Sequence, residues 1–240
     1  LRSERRHTRD LDGVVVILDA GHGGRDNGAQ NAKCGLYEDE INYDIMCRVK
    51  RILEAKTQAK VYTTIEDCHQ GYEPSDCRTF TCGGKEQLLT TPRYDNQDAK
   101  VSANLRWYLA NSYYRKELAR GTNSRQIVFT SFHTDALFNS SMRGAMIYIP
   151  GASLRNGYEQ PSASVYAKFA EVREQNHSKS TAAERRRDEA LSRSFADELM
   201  EAFLEQYKSY NGYLYADFGS QRTVGHMESS RQKAKEMNWT

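Results

Sequence analysis

Five branched apolar residues in succession, Val14-Val15-Val16-Ile17-Leu18, run straight into Asp19-Ala20-Gly21-His22-Gly23-Gly24. A short apolar run closed by a glycine-rich turn reads as a strand buried on both faces. Such strands occur in parallel or mixed sheets covered by helices, so this one stretch already narrows the chain to the α/β class. The expected architecture is a mixed, mostly parallel central sheet flanked by helices. The glycines let the backbone turn sharply and leave space around His22. Open α/β sheets carry their sites at the carboxyl ends of strands, which is where His22 stands.

The pattern that follows is consistent with this frame. Ile41, Ile45, Val49 and Ile52/Leu53 recur at helical spacing from Glu38 to about Lys56. Glu38, Asp39 and Glu40 fill the first turn, where the helix dipole favours carboxylates. Lys60 to Thr64 is a short strand, completing a β-turn-α-β unit. Residues 66–97 look like an irregular insertion. A second helix is expected from about Asp98 to Leu118, and Ile127 to Phe132 is a strand that ends at His133. Arg143 to Pro150 is a further strand, and 151–183 is a polar excursion with a helix at 162–176. Residues 184–208 form an amphipathic helix with Leu191, Phe195, Leu199 and Phe203/Leu204 facing inward. Residues 213–218 alternate like a strand, and the tail from Gln221 is polar. With 1–12 as a solvated lead-in, 13–240 reads as one domain carrying two insertions and lacking a recognisable closing strand. The formal net charge of +2 gives no reason to invoke nucleic acid, and no apolar run approaches the roughly 18 residues of a membrane span.

Two strands far apart in the chain each end in an imidazole, His22 and His133. In one parallel sheet both project at the same edge, and Glu38 opens the helix that returns to it. Two imidazoles and a carboxylate leave one position open on a tetrahedral Zn²⁺, the composition of a catalytic site. Zinc lowers the pKa of its water to about 7 and polarises a carbonyl, as amide hydrolysis requires. The glycine turn lacks the third glycine of a dinucleotide fingerprint and no Gly-Lys-Ser/Thr follows, which argues against a nucleotide. Ser131, His133 and Asp135 alternate along one strand and so point roughly parallel, which does not make a triad. His7, His69, His177 and His226 read as structural or surface histidines.

Asp19-Ala-Gly-His22-Gly-Gly, Glu38-Asp-Glu-Ile-Asn42 and Ser131-Phe-His133 resemble, in order and spacing, the zinc-dependent N-acetylmuramoyl-L-alanine amidases. Val61 to Thr64, Arg106 to Asn111 and Arg143-Gly144 extend the resemblance over about residues 13–210. It implies a zinc amidase fold and cleavage of the amide between N-acetylmuramic acid and L-alanine in bacterial peptidoglycan, outside the cytoplasm. It also implies His22, Glu38 and His133 as zinc ligands. Asp19 is a candidate for orienting a ligand imidazole from behind.

The family closes with an apolar strand bearing a general-base glutamate, and nothing in this chain matches that strand. After Phe218 the only glutamates are Glu228 and Glu236, so the base is unassigned. The alternative to an amidase is a silent relative that binds zinc or peptidoglycan without cutting it. The 151–183 excursion falls where regulated members carry a segment that covers the zinc until an activator protein removes it. Here it holds Glu159, Glu171, Glu174 and His177, though a solvated surface helix is the simpler expectation. Of the five cysteines, Cys68, Cys77 and Cys82 cluster in one loop-like stretch while Cys34 and Cys47 stand apart. Their spacing fits no zinc motif, and a disulfide in an exported protein is the expectation. An export signal would lie outside this chain.

Overall fold

The computed structural model describes residues 10–31, 33, 35–75, 84–134, 145–155, 164–174, 180–209 and 224–226. In chain order the elements are β1 (Val15–Ala20), β2 (Gln30–Asn31), β3 (Leu36–Tyr37), α1 (Glu38–Lys56), β4 (Lys60–Thr63), β5 (Ile65–Asp67), β6 (Glu86–Leu88), α2 (Ala99–Ala119), β7 (Ile127–Phe132), β8 (Ile147–Ile149), α3 (Ala170–Glu174), α4 (Ala182–Ser209) and β9 (Val224–His226).

The chain divides into two compact units, Leu1–Ala136 with Gln160–Asn176, and Leu137–Glu159 with His177–Thr240. The first is built on a three-stranded sheet in the order β4-β1-β7, with both pairs parallel and with α1 and α2 packed against it. β1 is the middle strand and is buried along almost its whole length, as its unbroken apolar run demands. Its partners are set in a fixed register, Leu18 beside Thr63 and Thr130, Ala20 beside Phe132. The ladder continues one step past the strands through a Gly21 N–H to Phe132 O bond of 2.9 Å.

α1 begins at Glu38 as the helical pattern predicts and buries Tyr43, Met46 and Cys47. α2 is capped by Asp98, whose side chain accepts from the Val101 N–H, and buries Leu105, Tyr108 and Leu109. Tyr43, Met46, Cys47, Leu105 and Tyr108 close on Leu18 and Ala20 of β1 to form the core.

Two differences from the sequence pattern in the first unit have physical causes. Within 66–97, Ile65–Asp67 and Glu86–Leu88 pair antiparallel. Strands of three residues are too short and too polar to show periodicity. Within 151–183, the described residues 164–174 are no solvated helix. Tyr166, Phe169 and Val172 belong to the core, with Phe169 edge-on to Tyr94. Glu171 is buried there too, accepting from the Thr91 N–H at 3.1 Å.

The second unit pairs β8 parallel with β9, Ile147 beside Val224 and Ile149 beside His226, a strand in the tail that the pattern left polar. α4 packs on β8. It opens with a capping box, in which the Thr181 hydroxyl accepts from the Glu184 N–H at 3.2 Å while the Glu184 carboxylate accepts from the Thr181 N–H at 2.7 Å. Among the described side chains of α4, Ala196 and Met200 are buried and Leu199 and Leu204 of the expected stripe are half-buried. Leu191, Phe195 and Phe203 are exposed. A two-stranded ribbon of three-residue strands is too narrow to cover the whole apolar face of a 28-residue helix.

Residues 213–218, Arg143-Gly144, His7, His177, Glu159, Asp135, Glu228, Glu236, Cys34, Cys77 and Cys82 lie outside the described residues. Cys47 and Cys68 are free thiols, and burial pushes the Cys47 thiol up to about 12. Among the described residues no helix is long and apolar enough to cross a membrane.

Candidate metal centre

The β1–β7 register brings the two strand ends together, and with them His22 and His133. Their rings meet edge to face at 5.0 Å between centroids. The first turn of α1 delivers Glu38 between them: Glu38 Oε1 is 3.4 Å from His22 Nε2 and 3.1 Å from His133 Nδ1. One ligand-type atom from each of the three residues lies within 4.8 Å of the others. A tetrahedral zinc with bonds near 2.1 Å holds its ligand atoms roughly 3.4 Å apart. The donor set, two imidazoles and a carboxylate, fits that ion.

The backbone around the site explains the glycines. His22 itself has a φ of 66°, in the left-handed region that few side chains tolerate. A Cβ on Gly21 would fall inside the His133 ring, and one on Gly28 would lie 2.7 Å from both Glu38 Oε2 and His22 Cδ2. The space next to Gly21 is therefore filled by the second imidazole.

Glu38 and His22 are anchored from behind. Glu38 is buried and its Oε2 accepts from the Ala29 N–H at 2.8 Å, which leaves Oε1 to the histidines. Thr134 N–H donates to the same Oε1 at 3.1 Å, and Asn42 Nδ2 donates to it at 3.4 Å and to Gly21 O at 3.2 Å. The Asp26 carboxylate accepts from His22 Nδ1 at 3.0 Å. That contact keeps a proton on Nδ1 and turns Nε2 toward Glu38, the nitrogen that a metal would take once its proton leaves.

Asp19 sits one layer deeper. It accepts from Arg106 Nη1 at 2.6 Å, from Ser131 Oγ at 2.5 Å and from the Thr64 hydroxyl. Arg106, buried on α2, also donates to the carbonyl oxygens of Ala20 and His22. Asp19 thus reaches His22 through a guanidinium, while Asp26 touches the ring. Sequence reading singled out neither Asp26 nor Arg106 for a role. The signal for Asp26 was a carboxylate inside the same glycine turn.

The charges follow from these contacts. Burial lowers the basicity of His22, but hydrogen bonds and attraction from Glu38 and Asp26 outweigh it and raise the group to about 9. Burial works to raise Glu38, yet hydrogen bonds from His133, His22 and the Ala29 N–H hold it far below the usual carboxylate range. Burial likewise opposes the charge on Asp19, and Arg106, Ser131 and Thr64 hold it low. An electron-rich cluster this eager for a proton is suited to a metal cation in the proton's place.

Of the other candidates, Glu171 is committed to Thr91, and Glu174 accepts through its backbone from Arg115 Nη1 at 3.2 Å. Neither is among the grouped ligand atoms.

Comparison with known proteins agrees with the residues. The profile of the N-acetylmuramoyl-L-alanine amidase family matches residues 16–229. No curated protein matches. Among solved structures, the CwlD amidase from Clostridioides difficile in complex with the GerS lipoprotein is 23% identical with a TM-score of 0.35; the match covers 57% of this chain and 56% of that one. The chain thus spans little more than half the length of that protein.

Proposed function

Because the chain belongs to the N-acetylmuramoyl-L-alanine amidase family, we propose that it hydrolyses the amide between N-acetylmuramic acid and the L-alanine of the peptide stem in bacterial peptidoglycan, with zinc as cofactor. The observation that carries this reading is the convergence of His22, Glu38 and His133 on one point at the carboxyl edge of the sheet. These three residues would hold the ion. When bound, zinc supplies a Lewis acid that activates water and polarises the scissile carbonyl.

The protein's own groups do the rest. Asp26 keeps the His22 proton on Nδ1, and the Ala29 N–H orients Glu38 so that one oxygen faces the imidazoles. Arg106 holds the His22 carbonyl and so fixes the turn. The general base, which takes the proton from the attacking water and passes it to the leaving amine, stays unassigned, since neither Glu228 nor Glu236 stands in an apolar run.

The substrate places the protein outside the bacterial cytoplasm. An activator protein acting on 151–183 belongs to the same reading.

The test is metal analysis together with dye release from labelled cell walls. The full chain is expected to bind one zinc and release dye; His22→Ala loses the zinc and His177→Ala keeps it. Stoichiometric zinc with no release from the unmodified chain would overturn the enzyme reading in favour of a silent binder.

A further inference from the structure

A second group of ligand-type side chains lies beside the first. Asp39 and Glu40, in the first turn of α1, and Glu86 on β6 each offer a carboxylate oxygen within 4.8 Å of the other two. Asp39 and Glu86 are both 2% exposed, and Glu40 is half-buried. The helix dipole accounts for carboxylates at Asp39 and Glu40. It does not account for Glu86, which comes from a strand 46 positions or more along the chain and adds a third negative charge at close quarters.

Glu86 also shows a specific vacancy in its bonding. Its Oε2 accepts from the Gly24 N–H at 3.0 Å, whereas its Oε1 is buried with no hydrogen-bond partner among the described residues. A carboxylate oxygen removed from water and given no donor is costly, and buried charges of this kind are paired or coordinate metals.

We propose that Asp39, Glu40 and Glu86 form a second cation site that takes a hard divalent ion of the Ca²⁺ class. The donor set is all oxygen, which suits Ca²⁺, whereas the imidazole-rich set nearby suits zinc. Ca²⁺ accepts six to eight oxygens in flexible geometry, so three carboxylates completed by water suffice. The ion would act as a clamp. Glu86 holds the His22 turn through Gly24, and Asn96 Nδ2 holds the Glu86 backbone carbonyl at 3.1 Å. Asp39 and Glu40 adjoin Glu38 on the helix. Binding therefore ties the turn that bears one imidazole to the helix that bears the carboxylate.

The test uses the full chain stripped by a chelator, with and without one equivalent of zinc, titrated with CaCl₂ by calorimetry and by thermal unfolding. One saturable site with a Kd of about 10⁻⁴ to 10⁻³ M is expected, with a melting temperature that climbs with Ca²⁺ concentration. Glu86→Gln is expected to weaken binding at least about tenfold by removing one ligand charge, and His133→Ala to leave it unchanged. Should Glu86→Gln fail to fold, as judged by circular dichroism, Glu40→Gln at the half-buried position carries the same expectation. The proposal is overturned by an absence of saturable Ca²⁺ binding, by equal binding in the folded carboxylate variant, or by loss of Ca²⁺ binding in His133→Ala, which would put the ion among the histidines.

Discussion

The imidazole of His133 stands so close to Gly21 that the position has no room for a Cβ. Gly21 lies at the end of β1 and His133 at the end of β7, so the contact is a direct product of the strand register. Gly21→Ala must push the His133 ring away from Glu38 while leaving both strands intact. The expected result is a folded chain whose zinc affinity falls by at least about a hundredfold, judged against the usual 10- to 100-fold cost of disturbing a supporting group. Zinc titration against a chromophoric chelator, with circular dichroism as the control, reads this outcome. Unchanged affinity would show that His133 is not needed for the metal.

Asp26 fixes the tautomer of His22 from 3.0 Å. Asp26→Asn keeps the size of the side chain but removes the charge that orients and enriches the imidazole. Zinc affinity should drop by about 10- to 100-fold with little change in folding stability. A loss confined to stability would point to a turn-capping role instead.

Arg106 balances Asp19 in the interior. Arg106→Met leaves that carboxylate buried without its cation, a change that costs about 3–5 kcal/mol in urea unfolding. Arg106→Lys should restore part of the stability. A single ammonium cannot reproduce the planar fork that serves Asp19, Ala20 and His22 together, so zinc affinity should stay reduced. Full recovery of both in the lysine variant would reduce Arg106 to a point charge.

Phe169 is fully buried in a segment that looked like surface. Phe169→Ala is expected to destabilise the chain by about 3–5 kcal/mol, read by denaturant unfolding. Excision of 155–183 should therefore unfold the chain and not raise its activity. A deletion that stays folded and is more active would reinstate the segment as a removable cover.

Glu117 on α2 accepts from Lys60 Nζ at 2.8 Å, Tyr62 Oη at 2.6 Å and Arg120 Nη1 at 2.5 Å. Burial works to raise this group, but those hydrogen bonds prevail and hold it at about 2, below the ordinary 4.5. With the folded value depressed, the stabilisation is complete above about pH 4.5 and is lost as the pH falls through 2. Glu117→Gln should cost about 1–2 kcal/mol at pH 7, and the gap to the unmodified chain should narrow between pH 5 and pH 2. A gap independent of pH over that window would exclude ionisation as its source.

Much of this arrangement was legible in the residues. The starts of α1 and α2 were readable because long periodic runs mark them, with an acidic first turn at Glu38 for α1, and β7 was readable from its apolar run. The meeting of His22 with His133 followed from two strand ends in one parallel sheet. What pattern could not convey is which surface a stripe meets. The apolar face of α4 was plain, but its direction depends on the width of the ribbon beneath it. The hairpin of Ile65–Asp67 with Glu86–Leu88 was invisible because its residues are mostly polar, and with it went the approach of Glu86 to Asp39. Arg106 stood in a recognisable run, yet its grip on Asp19 spans 87 positions, a distance over which local pattern is silent.

That separation bears on how the protein matures. His133 and Glu38 are 95 positions apart, and they meet only once β7 has docked in register against β1. Such long-range pairing is entropically expensive and comes late in folding. A nascent or half-folded chain therefore presents its imidazoles as isolated side chains with no shared pocket. If the three residues hold zinc as proposed, metal capture would be a readout of completed assembly, and a chain that misregistered the sheet by one residue would not be loaded.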